Sequence, residues 1–336
     1  DLTGWWNGVT TGDLDSDGRL DIVAVNWGEN SKYHTSSEQP ILVYASDFDQ
    51  SGSLDIVEAH FDPLMKCLVP ERGLSCSSNA MPFIRQQLPT FAKFGGAQLQ
   101  EIYGEQSLEN AYRREVTTLS HTIFMNRGDH FVPVEFPQYA QVAPGFGVNV
   151  ADFDGDGHQD VFMAQNFFAT QIETNRLDAG RGLLLAGDGN GGLVPIRGHE
   201  SGIRVYGEQR GSAVSDFDGD GRPDLVVTQN GNRTRLFRNV RGQPGIRVRL
   251  KGNVANPNAV GAMIRLQFKS QLGPAYEIHH GSGYWSQDSS VLVLARAGNP
   301  NGIWIRWPGG QETSSNLPED VREVEISDDG TLRVVK

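Results

Sequence analysis

Asp13-Leu14-Asp15-Ser16-Asp17-Gly18-Arg19-Leu20-Asp21 runs straight into the apolar stretch Ile22-Val23-Ala24-Val25, and the chain writes this arrangement four times. The other copies are Asp47-Phe48-Asp49-Gln50-Ser51-Gly52-Ser53-Leu54-Asp55, Asp152-Phe153-Asp154-Gly155-Asp156-Gly157-His158-Gln159-Asp160 and Asp216-Phe217-Asp218-Gly219-Asp220-Gly221-Arg222-Pro223-Asp224. Side-chain oxygens at positions 1, 3 and 5, with a glycine at 6 to turn the chain, suit a hard divalent cation. Ca²⁺ takes six to eight oxygens in a flexible shell, commonly including a backbone carbonyl at position 7. The second copy is the weakest, because Ser51 offers a neutral oxygen where the others have a carboxylate.

An EF-hand would need a bidentate glutamate at position 12 and an exiting helix. Position 12 is Ala24, Glu58, Met163 or Val227, so only the second loop complies. Each loop instead leads into a β-branched, apolar run, which predicts a buried strand.

The charge follows the loops. Fifteen of the 41 acidic residues are aspartates within the four motifs, leaving 26 against 29 lysines and arginines. The net charge of -12 is therefore a property of the loops, and four bound Ca²⁺ would reduce it to -4. No basic face suggests nucleic acid as a partner, and no apolar run of membrane-spanning length occurs. Cys67 and Cys76 are compatible with a local disulfide or with two thiols. The first motif begins almost at the first residue, so the chain is expected to be the C-terminal part of a longer, secreted protein, and a missing signal segment carries no information.

Spacings of 34, 105 and 64 residues between motif starts suit β-propeller blades of several short strands each. Between the third and fourth motifs, strands are expected at 160–166, at 182–187 and after the Asp188-Gly189-Asn190-Gly191 turn. A matching hairpin is expected at 122–132, and a further strand at 234–239. The first interval is short, so its blade is either abbreviated or reuses neighbouring strands. Residues 64–120 form a partly helical insertion: Phe91, Phe94, Leu99, Ile102, Leu108, Ala111, Tyr112, Val116 and Leu119 follow helical spacing. From 243 to 336 the motifs stop and period-2 alternation predicts a small antiparallel sandwich or barrel. The expected fold is all-β: propeller blades over 1–242, in an arc or a closed ring, and a β domain over 243–336.

The four loops and their strands resemble FG-GAP/VCBS repeats, the blades of integrin-type propellers. The tail resembles the ASPIC/UnbV domain of the cartilage-acidic-protein-like family, through Asn256-Pro257-Asn258-Ala259-Val260-Gly261-Ala262, Gly281-Ser282-Gly283-Tyr284-Trp285-Ser286-Gln287 and Trp307-Pro308-Gly309-Gly310. It departs at Leu294-Ala295-Arg296-Ala297-Gly298, where that family tends to carry Phe-Gly-Leu-Gly. The resemblance implies Ca²⁺ as the cofactor, with side-chain ligands at positions 1, 3, 5 and 9. These are Asp13, Asp15, Asp17 and Asp21; Asp47, Asp49, Ser51 and Asp55; Asp152, Asp154, Asp156 and Asp160; and Asp216, Asp218, Asp220 and Asp224. Arg19, Ser53, His158 and Arg222 would each lend a backbone carbonyl. Loops of this design in extracellular modules bind in roughly the 10⁻⁴–10⁻³ M range, which fills them outside the cytosol. An extracellular, periplasmic or cell-surface protein is expected.

No G-x-S-x-G, H-E-x-x-H or phosphate-loop motif is present, so no catalytic residue is assigned. The leading expectation is a non-catalytic calcium-binding propeller whose partner is an extracellular protein or glycan. The alternative is a secreted polysaccharide-active, lyase-like enzyme on the same scaffold, which would need a base beside a cation.

Overall fold

A computed structural model describes residues 2–269 and 271–336, and its secondary structure is predominantly β. Each acidic motif joins two neighbouring antiparallel strands of one sheet, and in the first, third and fourth copies these are an edge strand and the one beside it. The register is the same in all four: the residue before the motif pairs with its ninth, as Gly12 with Asp21, Ser46 with Asp55, Ala151 with Asp160 and Ser215 with Asp224. The repeat in sequence is thus a repeat in space.

Close packing divides the chain into two compact units, one of Asp1–Trp5 with Ser31–Leu119, the other of Trp6–Asn30 with Ser120–Lys336. The first carries a four-stranded sheet, Cys67–Pro70, Asp55–Asp62, Ile41–Ser46 and Tyr112–Val116 in spatial order. Five short helices between Leu74 and Asn110 cover one face of it. Their Leu74, Ile84, Leu99 and Ile102 meet Leu42, Tyr44, Val57 and Ala59 from the strands in one core. Helical spacing holds through Leu108, but Tyr112–Val116 is a strand, paired antiparallel with Ile41–Ser46. The apolar pattern misleads there because only Val116 of the five is buried, so no alternation marks the strand. Cys67 and Cys76 are free thiols.

In the second unit, the first blade has the order Gly8–Gly12, Asp21–Val25, Thr122–Asn126, Phe131–Glu135. Its third strand is therefore supplied from far along the chain, which resolves the short first interval. A second blade comprises Gly145–Ala151, Asp160–Gln165, Leu183–Gly187 and Leu193–Ile196, and a third comprises Glu208–Ser215, Asp224–Asn230 and Asn232–Phe237. Val23, Val25, Ile123, Val148, Val161, Met163 and Leu185 form a core shared by the first two blades. The innermost strands lie so close that a Cβ at Gly8 would sit 2.0 Å from the Phe146 carbonyl oxygen, and one at Gly147 would sit 2.7 Å from that of Arg210. Only glycine fits at such a backbone approach.

The tail is a sandwich of two sheets. One orders Val291–Leu294, Ile246–Lys251, Glu323–Ser327 and Leu332–Val334; the other is built on Met263–Phe268, Gly302–Arg306 and Glu312–Asn316. Ile246–Lys251 and Glu323–Ser327 run parallel, the remaining pairs antiparallel. Val248, Ile264, Ile303, Ile305, Trp307 and Ile326 fill the space between the sheets. The tail's Gly281–Gln287 stretch reaches the innermost blade strands. Gly283 (φ +60°) exchanges backbone hydrogen bonds with Val9, and a Cβ on it would lie 2.6 Å from the backbone of Val148. Tyr284 meets Phe146 edge to face at 5.3 Å.

Candidate metal centres

A common set of hydrogen bonds shapes the four loops. The position-9 carboxylate accepts the position-2 amide: Leu14, Phe48, Phe153 and Phe217 N–H donate to Asp21, Asp55, Asp160 and Asp224 at 2.8–3.0 Å. Oδ2 of the position-1 aspartate accepts the amide of the position-6 glycine, from Gly18, Gly52, Gly157 and Gly221, at 2.8–2.9 Å. The position-7 amide donates to the position-5 side chain in every copy, at 2.8 Å to Asp17 and Asp156, 3.1 Å to Asp220 and 3.3 Å to the Ser51 hydroxyl. Position 6 has positive φ throughout, as the motif predicts. So does position 4 (Ser16, Gln50, Gly155, Gly219), which sequence reasoning missed because two of its four occupants are not glycine.

These turns fold the carboxylates toward common points. Oxygens of Asp13, Asp15 and Asp17, of Asp47, Asp49 and Asp55, of Asp152, Asp154 and Asp160, and of Asp216, Asp218 and Asp224 each lie within 4.8 Å of one another. Asp21, Asp156 and Asp220 stand outside those triples. Asp21 Oδ1 accepts Asn126 N–H at 2.8 Å, and its counterparts Asp160 and Asp224 accept Gly187 and Asn239 N–H. In the first and third copies position 9 therefore ties the loop to the third strand of its blade, and in the fourth to the residues just after it, with a second lone pair on each oxygen still available.

Two oxygens test whether a cation fits. Asp13 Oδ1 and Asp15 Oδ1 are buried without a hydrogen-bond partner among the described residues, an arrangement that costs free energy unless something electropositive occupies the space. The donor set is all oxygen, the preference of Ca²⁺ and Mg²⁺.

Electrostatics separates the loops. Burial pushes the Asp13 carboxyl up to about 6, and raises that of Asp21. In the third loop burial takes Asp152 to about 6 and Asp160 to about 8, with Asp154 also raised. Arginines balance the first and fourth loops: Arg127 pairs with Asp15 at 2.5 Å, Arg19 with Asp17, Arg247 with Asp216 at 2.5 Å, Arg222 with Asp220 at 2.7 Å and Arg238 with Asp218. Among the described residues no ion pair reaches Asp152, Asp154, Asp156 or Asp160. The third loop thus gathers buried carboxylates with the least compensation. The second is the most open, with Asp47 exposed and Asp49 and Asp55 half-buried.

The tail grips the first and fourth loops from outside. Ala275 N–H donates to Asp13 Oδ2 at 2.7 Å, leaving Oδ1 as the unpartnered oxygen. Buried Gln159 joins the pieces, its Oε1 accepting Asp13 N–H at 2.8 Å and its Nε2 donating to Ala275 O at 2.9 Å. Arg247 bridges Asp216 and, at 3.1 Å, Glu323. None of these pegs was visible in the sequence, because each acts across a separation no motif records.

The family model described as FG-GAP repeat matches residues 210–237, which span the fourth loop and the strands of its blade. The chain carries an FG-GAP repeat. Cartilage acidic protein 1 of Homo sapiens is 23% identical over 206 residues, covering 59% of this chain and 30% of its own length. The Mus musculus protein of that name is 23% identical over 209 residues, covering 60% of the chain and 32% of its own. The chain therefore spans less than a third of the curated relatives it matches. The first three loops share the register and hydrogen bonds of the one inside the FG-GAP match, so the repeat's geometry extends beyond the matched residues.

Proposed function

We propose that the chain is a non-catalytic, calcium-binding propeller protein of the extracellular space or cell surface that binds a protein or glycan. The observation that carries this reading is the fourfold acidic loop with one register, one hydrogen-bond scheme and, in the first copy, buried carboxylate oxygens without partners among the described residues. Positions 1, 3, 5 and 9 would supply side-chain oxygens and Arg19, Ser53, His158 and Arg222 their carbonyls. The ion's chemistry here is structural: it neutralises carboxylates that burial leaves costly and fixes the turn between two strands. Residues 1–242 would serve as the blade region and 243–336 as an ASPIC/UnbV-like β domain. Distant similarity to cartilage acidic protein 1 and the FG-GAP match support an extracellular, adhesion-type role. Among the described residues no helix is long and apolar enough to cross a membrane.

Equilibrium dialysis with radioactive Ca²⁺, followed by protein and glycan arrays with and without chelator, tests the reading. Up to four sites and a ligand retained only with Ca²⁺ are expected. Release of unsaturated or reducing sugar ends from a polysaccharide would replace it with the enzyme alternative.

A further inference from the structure

The acidic loops of the second unit lie where innermost strands end and second strands begin. At the opposite strand ends, a cleft of about 1060 Å³ opens beside Gln141, Gln165, Leu183 and Tyr206. Arg181, Arg197 and Arg204 line it, all exposed. Arg204 Nε donates to the Gly198 carbonyl at 3.1 Å, yet among the described residues none of the three arginines forms an ion pair. The arginines at the loops differ, since Arg127, Arg222, Arg238 and Arg247 are each held by a carboxylate. Among the described residues the one carboxylate lining the cleft, Glu29, accepts the Ser120 hydroxyl at 2.7 Å. Two tyrosines complete the lining, Tyr139 and Tyr206, 58% and 61% exposed, with the Arg181 guanidinium 5.1 Å from the Tyr206 ring centre.

A chain of net charge -12 that gathers three uncompensated guanidinium groups in one concave place has built a local anion site. We propose that this cleft binds an acidic saccharide, a carboxylated or sulfated segment of a glycan chain. Guanidinium forks match carboxylate and sulfate oxygens bidentately. Exposed phenol rings offer flat apolar faces against which pyranose rings lie, each with a hydroxyl for the sugar's own. An acidic peptide would use the arginines equally well but has no need of two tyrosine faces. The proposal rests on the binding-protein reading above and names its ligand class.

Binding of the full chain in Ca²⁺ buffer to an immobilised sulfated glycosaminoglycan, polygalacturonate and neutral dextran tests it, with poly-glutamate as soluble competitor. Both acidic polysaccharides are expected to retain the protein and dextran to let it pass. The double variant Arg197→Gln/Arg204→Gln should weaken retention roughly tenfold or more, and Arg197→Lys/Arg204→Lys should recover part of it. Tyr206→Ala should weaken the polysaccharides while leaving the response to poly-glutamate unchanged. An unaltered melting temperature and Ca²⁺ response in each variant shows that the fold is intact. Retention indifferent to the arginine substitutions overturns the proposal. So does poly-glutamate competing on equal terms while Tyr206→Ala binds normally, which would make this an acidic-peptide site. If arrays find only a neutral glycan or a non-acidic protein, the cleft assignment falls and the broader reading stands. No ligand at all, with or without Ca²⁺, removes both.

Discussion

A carboxylate buried beside two others is stable either protonated or facing a cation, and the third loop holds this choice in its plainest form. Asp152 and Asp160 are buried, and among the described residues no arginine pairs with them. Asp154, on the exposed side, accepts the Asp156 amide at 3.1 Å. Replacing Asp154 with alanine removes a proposed metal ligand without opening a hole. The melting temperature in chelator is expected to stay close to the parent's, while dialysis loses one site and the Ca²⁺-induced rise shrinks. The second loop should be the weakest site, since its exposed carboxylates leave a cation more of its water. His121 sets a separate response. Its Nδ1 accepts Asn26 N–H at 2.8 Å and its Nε2 lies 3.1 Å from Ala143 O, so the neutral ring carries its proton on Nε2. A second proton would face a donor, and burial pushes the imidazole down to about 4 from 6.5. With the folded value depressed, the unfolded chain takes the proton first. Stability is then complete above pH 6.5 and is lost as pH falls toward 4, by on the order of 3 kcal/mol. Chemical denaturation across that interval, with His121→Gln as the flattened control, checks it.

At the scale of elements, the antiparallel pairing of the strand before the loop with the one after it is the repeated unit, and glycine sets how closely the first and second blades approach. Gly8→Ala should cost about 1–3 kcal/mol, the usual range for overpacking a tight interior, because its Cβ would collide with the Phe146 carbonyl. Gly52→Ala occupies open space yet has φ +84°, so it should cost about 1 kcal/mol through backbone strain alone. Urea unfolding of both variants separates contact from conformation. Much at this scale is legible in the sequence. Apolar runs after each motif mark second strands, and Asp188-Gly189-Asn190-Gly191 marks a hairpin whose aspartate accepts Asn190 and Gly192 amides. What stays hidden depends on distant partners. Tyr112–Val116 reads as helix because exposed edge strands carry no burial pattern. Thr122–Asn126 completes a blade begun at Gly8, a pairing that no local signal announces.

For the whole molecule, the acidic repeats account for the charge, the turns and the expected ion together. The site was legible because metal chemistry demands certain residues at fixed spacing. The pegs Gln159, Ala275 and Arg247 were not, because a single amide or guanidinium across a fold leaves no spacing to read. They tie the tail to the first and fourth loops, so chelation should also expose the tail. Limited proteolysis is expected to cut near 243–336 faster in chelator than in Ca²⁺, and equal rates would separate docking from the metal. The most direct test of the account is the melting temperature of chelator-stripped protein across a Ca²⁺ titration, with Mg²⁺ in parallel. Each filled site should add about 3 kcal/mol at a hundredfold excess over Kd, giving a large rise selective for Ca²⁺. An unchanged melting temperature, or an equal rise with Mg²⁺, would contradict it.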